Sequence, residues 1–217
     1  MHGKSPELSP SRARELFFLT VIALGMLSTG CENHGYYIPD GQKPELSEQL
    51  NSEKQDTFLK VELGILSTNY YNIVQQPPGQ EEYVDPNYDV ITEFSELSEE
   101  EEKQARWFLA HIQGKAGQEI AQLRQGMRIR FEMEGGEVQE YEIAGVVRYQ
   151  ATEPNSSTAP LIEVNENLET IGIPLSNRAV KRGLFGLANG GIILQTCIEN
   201  GGNSSWGRIF VVAQPLE

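Results

Sequence analysis

The most regular apolar and polar pattern lies between Met127 and Tyr149. Over residues 127–134 apolar side chains alternate with charged ones: Met127, Ile129, Phe131 and Met133 against Arg128, Arg130, Glu132 and Glu134. Gly135-Gly136 supplies a two-residue turn, and the alternation resumes at Tyr141, Ile143, Val147 and Tyr149. The pattern predicts a β-hairpin with one apolar face. Such a face needs a second layer or a closed barrel to cover it.

Four further segments have strand composition: Thr57–Leu66, Leu161–Val164, Gly191–Thr196 and Arg208–Gln214. Residues 67–93 hold turn-forming residues, including Pro77-Pro78-Gly79 and Asp85-Pro86-Asn87. We therefore predict a mainly β fold, a closed β-barrel with short helices.

Two segments have helical patterns. Ala116–Gln125 is closed by Gly126, which favours a short helix. In residues 98–113, Ser98 and Glu101 form a capping box, and apolar side chains follow at helical spacing. If that helix runs to its end, His111 is a polar residue on its surface. The alternative is a strand that ends just before His111.

The first thirty residues have the layout of an export signal. Lys4, Arg12 and Arg14 precede a weakly polar or apolar stretch, Phe17–Gly30, and Cys31 follows at once. The sequence LSTGC at 27–31 resembles a bacterial lipobox, in which the cysteine is lipidated and becomes the amino terminus, although the large aliphatic residue stands one place early. The alternatives are an uncleaved anchor, for which the run falls short of about twenty apolar residues, and a cytoplasmic protein.

This pattern divides the chain into three parts. We expect a signal peptide at 1–30, a lipid-anchored polar tether at 31–56 and the β-barrel domain at 57–217. The expected location is the bacterial cell envelope, with the lipid anchor on the outer face of a membrane.

The charge of the chain limits its partners. It has 17 Lys and Arg against 31 Asp and Glu, a net charge of −14, without the basic cluster that nucleic acid binding needs. The acidic runs Glu99–Glu102 and Glu81-Glu82 lack EF-hand spacing, so no metal or cofactor is expected.

Cys197 ends one of the aliphatic strand segments. If Cys31 carries lipid, Cys197 has no partner cysteine within the chain, and an exported unpaired thiol is a candidate reactive group. A buried inert thiol and a Cys31–Cys197 disulfide are the alternatives.

A thiolate nucleophile needs a base, and among the three histidines, His2, His34 and His111, only the last falls within the predicted domain. Arg208 opens the following strand and could hold an oxyanion.

These residues lie in segments that resemble sortases. ILQTC at 193–197 is similar to the Thr-Leu-x-Thr-Cys signature of that family, with Ile193 at its first position. RIFVVAQPL at 208–216 resembles the next strand, which begins with the family's essential arginine. The segment at 108–131, FLAHIQGKAGQEIAQLRQGMRIRF, resembles the one with the catalytic histidine, but Ala110 replaces a glycine and Met127 a common acidic residue.

The resemblance implies a sortase-like β-barrel and a cysteine transpeptidase. Cys197 would be the nucleophile, His111 the general acid and base, and Arg208 the group that stabilises the oxyanion or positions the substrate. The partners would be a peptide or protein with a short sorting motif and an amine acceptor. A non-catalytic envelope lipoprotein that binds a peptide or protein on the same barrel is the alternative. L,D-transpeptidases are disfavoured because Ser-x-Gly-Cys is absent around Cys197.

Overall fold

The computed structural model describes residues 57–64, 70–80, 83–154, 156 and 158–216. The predicted signal peptide, Cys31 and the tether lie outside these residues, so they remain predictions. Ten strands and three helices are described: β1 (Phe58–Glu62), β2 (Tyr70–Gln75), β3 (Val90–Glu93), α1 (Glu99–Glu102), β4 (Ala105–Leu109), α2 (Lys115–Gln122), β5 (Arg128–Met133), β6 (Val138–Ala151), β7 (Leu161–Val164), β8 (Thr170–Leu175), α3 (Asn177–Ala188), β9 (Gly191–Asn200) and β10 (Asn203–Pro215).

Eight of these strands form a closed barrel. Their order is β10-β9-β4-β3-β2-β1-β5-β6, and a further pairing of β10 with β6 closes the ring. β7 and β8 extend from β6 beyond the ring. The predicted closed, mainly β barrel with short helices is thus confirmed.

Alternation along the strands gives the barrel wall two apolar faces. One cluster draws side chains from all eight ring strands and fills the interior, with Phe108 and Phe131 at its centre. The second lies outside, where α3 packs its apolar stripe against Trp107 and Phe210. Along β4, β9 and β10, every second residue therefore faces α3, and the residues between them face the interior.

The predicted hairpin is present as β5 and β6, and Gly135 and Gly136 both have positive φ. The predicted helix that follows His111 is α2, which begins at Lys115 and ends at Gln122. Helix α3 has twelve residues and was not predicted. Within the described part of the chain, no helix is both long and apolar enough to cross a membrane.

The segment before His111 contains a helix and a strand. Ser98 and Glu101 form the predicted capping box, but the helix that they begin, α1, ends at Glu102. A helix that continues to residue 113 is therefore wrong. β4 takes its place because its side chains are needed on both faces of the wall: Phe108 faces the interior, and Trp107 faces α3.

Candidate functional site

Cys197 and Arg208 face each other across two antiparallel strands. They are direct partners in the pairing of β9 with β10, so their side chains emerge on the same face of the sheet. This is the face that α3 covers, since Phe210 and Val212, two and four residues after Arg208, pack in the outer cluster. The sequence prediction that adjacent strands would bring the two side chains together is confirmed.

His111 lies level with Cys197 on the other side of β9. β4 runs parallel to β9, with Leu109 paired to Gln195, and the backbone N–H of Ala110 donates to the Gln195 carbonyl at 3.0 Å. His111 lies two residues after Leu109, and Cys197 lies two residues after Gln195. The three candidate residues therefore belong to three neighbouring strands, in the order β4, β9, β10. The predicted strand bounds at Thr196 and Arg208 are too short, because β9 continues to Asn200 and β10 begins at Asn203, so Cys197 and Arg208 lie within their strands.

The loop between β2 and β3 holds the imidazole of His111. The Tyr88 ring meets it edge-on, with ring centroids 5.3 Å apart. Burial lowers the pKa of His111, whereas a hydrogen bond to the Val84 backbone carbonyl and the charge of Asp85 act in the opposite direction. A carbonyl acceptor fixes the orientation of the ring and the position of one of its protons. The loop thus supplies the orienting group that a general base requires.

Helix α2 packs closely behind His111. At Gly117, a Cβ would collide with the His111 carbonyl and come within 2.8 Å of Thr196 Oγ1. Gly117 therefore lets the helix approach the turn that carries His111 and the end of β9 together.

Arg208 is a buried cation in an unusual environment. The residue is only 6% exposed, and its Nη1 donates to the backbone carbonyls of Ser205, at 3.1 Å, and of Gly207, at 3.0 Å. Among the described residues no carboxylate forms an ion pair with it, and burial lowers the pKa of Arg208 to about 10. It stays charged at neutral pH. A buried charge without a counter-ion is costly, and such groups concentrate at functional sites.

Cys197 is buried and disulfide-bonded in the structure. The chain has one other cysteine, Cys31, which lies outside the described residues. A sulfur in a disulfide is not a nucleophile, so chemistry at Cys197 requires prior reduction of this bond.

Sequence reasoning missed three groups around these residues. They are the Val84 carbonyl, the Tyr88 ring and Ser205, whose buried hydroxyl has no hydrogen-bond partner among the described residues. The Asp85-Pro86-Asn87 turn beside the first two was visible in the sequence, but nothing there indicated which side chain it would contact. Gly207 also has a local role, because a Cβ there would collide with the Tyr149 carbonyl on β6.

No family model and no curated protein matches the chain. Among solved structures it is similar to sortase C1 from Streptococcus agalactiae in complex with MTSET, with 14% identity, a TM-score of 0.43, and 73% of this chain and 68% of that one covered. It is also similar to Clostridium perfringens sortase C with the C-terminal cell wall sorting motif, with 13% identity, a TM-score of 0.43, and 73% and 69% covered. For sortase C-1 from Actinomyces oris the identity is 13%, the TM-score 0.42, and 73% of each chain is covered.

Proposed function

We propose that this protein is a sortase-like cysteine transpeptidase, which cleaves a short sorting motif and transfers the acyl part to an amine. The observation that carries the proposal is the position of Arg208. It is a buried cation, without a carboxylate partner in the described part of the chain, and it directly faces Cys197 across the ladder. A charge that faces a sulfur and that no carboxylate among the described residues neutralises suits an oxygen that becomes negative during acyl transfer.

The reaction begins with reduction of the disulfide at Cys197 by a thiol reductant. The thiolate attacks a peptide carbonyl carbon, and the electrons of the carbonyl move to its oxygen, beside Arg208. As the intermediate collapses, the C–N bond breaks and His111 protonates the departing amine. A thioester remains on Cys197. An acceptor amine then attacks it, His111 takes the amine proton, and a new amide leaves as the thiolate is restored.

Burial adds a requirement for access. Cys197, His111 and Arg208 are all buried, so a peptide reaches them only when the site opens locally. The unopened, oxidised protein is expected to be inactive toward peptide. Activity is expected after treatment with a dithiol.

The test is a library of Leu-Pro-x-Thr-Gly-like peptides with an added amine, such as hydroxylamine, and the reduced protein. Formation of the hydroxamic acid of the acyl part, detected by mass spectrometry, is the expected result. Cys197→Ala, His111→Ala and Arg208→Ala should each nearly abolish it while the fold is retained. Their effects should be strongly non-additive, because the three residues serve one transition state. Cys197→Ala should still bind the selected peptide.

The disulfide at Cys197 favours one alternative function, a non-catalytic envelope protein that binds a peptide or protein partner and uses the bond for stability. In that case no peptide is cleaved or joined after reduction. The three substitutions then change affinity modestly and independently.

We also propose that Cys31 is lipidated and holds the protein on the outer face of a bacterial membrane. The support is the short apolar stretch that ends at Gly30-Cys31. A lipid on this sulfur and a disulfide from it to Cys197 exclude each other, so the proposal requires a mature chain in which the Cys197 sulfur is not bonded to Cys31. Mass spectrometry of the amino-terminal peptide after expression in bacteria decides the matter, and an intact Met1–Cys31 segment in the membrane fraction would contradict the proposal.

A further inference from the structure

The hydroxyl of Ser205 is a buried polar group that takes no part in the reaction steps above. The residue is 2% exposed, and its Oγ has no hydrogen-bond partner among the described residues. Buried hydroxyls are normally hydrogen-bonded, and one that is not raises the free energy of the folded state. The fold therefore tolerates a cost at this position that an alanine would avoid.

Ser205 is held next to Arg208 by the backbone. Its own carbonyl accepts from Arg208 Nη1 at 3.1 Å, and its N–H donates to Asn203 Oδ1 at 2.9 Å. The pairing of β10 with β9 is irregular between Asn203 and Gly207, so this stretch departs from the regular ladder just before Arg208. The irregular stretch thus brings the residue with the unsatisfied hydroxyl, through its own carbonyl, into contact with the Arg208 guanidinium, which has no carboxylate partner among the described residues.

We infer that Ser205 binds substrate with Arg208, its hydroxyl donating a second hydrogen bond to the peptide carbonyl oxygen that Arg208 stabilises. The inference rests on the proposed transpeptidase function and adds a residue to it. Two facts point the same way: Arg208 has no carboxylate partner, and Ser205 has no acceptor, in the described part of the chain. A single oxygen that carries negative charge satisfies both. Because that charge develops only as the thiolate attacks, the bond from Ser205 strengthens in the transition state.

A structural serine and a substrate-binding serine predict opposite effects of Ser205→Ala on stability. If the hydroxyl held the fold together, its removal would lower the melting temperature. If the hydroxyl forms a hydrogen bond only to substrate, Ser205→Ala leaves the melting temperature unchanged or raises it, since an unsatisfied buried donor is removed. Turnover nevertheless falls.

The experiment compares Ser205→Ala, Ser205→Thr and the matched control Ser204→Ala in the full chain after dithiol treatment. The substrate is the selected peptide with hydroxylamine. We expect kcat for Ser205→Ala to fall about 10²-fold with KM changed less than about threefold, as for loss of one oxyanion donor. Ser205→Thr, which keeps the hydroxyl, should recover most of the loss. Ser204→Ala should match the unmodified protein.

Two results would overturn the inference while the transpeptidase function stands. One is a Ser205→Ala variant as active as Ser204→Ala. The other is an activity loss that only follows a lowered melting temperature. If the unmodified protein joins no peptide to hydroxylamine, the proposed function fails, and the role of Ser205 fails with it.

Discussion

Two arginines in the barrel wall illustrate different uses of a buried charge. Arg106, near the start of β4, donates from Nε to Glu93 Oε1 at 2.6 Å, forms an ion pair with the same carboxylate, and lies 3.8 Å from the Phe58 ring centroid. Arg208, near the opposite end of the wall, has backbone carbonyls as its only hydrogen-bond partners among the described residues. Within the described residues, the first charge is paired with a carboxylate and the second has no counter-ion.

The difference indicates which of the two is available to a ligand. A cavity of about 210 Å³ opens beside Arg106, and yet the charge there is already neutralised by Glu93, which also accepts from Gln75. Burial raises the pKa of Glu93 despite the opposing effect of Arg106, a sign that desolvation is large at this pair. The shape of the surface alone would suggest that a ligand binds in this cavity. The charge without a carboxylate partner among the described residues indicates instead that the ligand binds at Arg208.

The largest expected effect comes from Arg208→Lys. This substitution keeps a positive charge but removes the planar set of donors, so kcat/KM for peptide joining should fall by about 10² to 10³. Arg106→Lys is the matched control, because it makes the same change at the paired arginine and should leave turnover nearly intact. Equal activity in the two variants would show that Arg208 is only a structural cation.

The converse experiment breaks the pair at Arg106. Glu93→Gln removes the carboxylate that pairs with this largely buried guanidinium, and we expect a loss of about 3 kcal/mol in the free energy of unfolding. Glu62→Gln removes one of the two carboxylate partners of Arg130, in a pair 3.6 Å apart whose arginine is exposed, and should cost less than about 1 kcal/mol. Denaturant titration measures both. Similar losses for the two variants would show that burial of the Arg106–Glu93 pair does not raise the cost of breaking it.

Sequence patterns predicted the parts of this fold whose periodicity is strong. The hairpin of β5 and β6 and the aliphatic strands β9 and β10 were found because alternation or continuous apolar runs mark them directly. β2 and β3 were missed, since each is short and a loop with Pro77-Pro78-Gly79 and Asp85-Pro86-Asn87 separates them. For α3 a signal existed: Ser176 caps it, and Val180, Leu184 and Ala188 repeat every four residues.

The candidate site was predictable only where chemistry depends on residue type and strand order. Cys197 and His111 could be named because the chain has two cysteines and three histidines, and Arg208 because it opens the predicted strand that follows Cys197. The burial of Arg208 away from any described carboxylate could not be predicted, because the barrel fold decides which acidic side chains lie near it. The state of Cys197 was equally open, as a disulfide and a free thiol are compatible with the same two cysteines. Tertiary pairing, rather than local sequence, decides such points.

The smallest effect concerns the His111 side of the site, where Asp85 is the charged neighbour. Burial lowers the pKa of His111 and the charge of Asp85 partly offsets this, so Asp85→Asn should lower that pKa further. The folded pKa already lies below the unfolded value of 6.5. Between the two values the unfolded chain binds the proton more readily. His111 therefore contributes stability that is present above pH 6.5 and is lost as pH falls through this window, which Asp85→Asn widens.

An NMR titration of the His111 ring protons measures the shift, with assignment from a His111→Gln variant. The matched control is Asp89→Asn, an exposed carboxylate in the same loop that has no part in the shift at His111. If Asp85→Asn moved the titration no further than Asp89→Asn, or raised it, the loop would not set the protonation of the proposed acid and base. If Asp85→Asn lowers the midpoint, and the acid limb of the pH–rate profile moves with it, the loop between β2 and β3 sets the pKa of His111. The two sides of the site would then have separate controls, because the pairing of β9 with β10 sets the environment of Arg208.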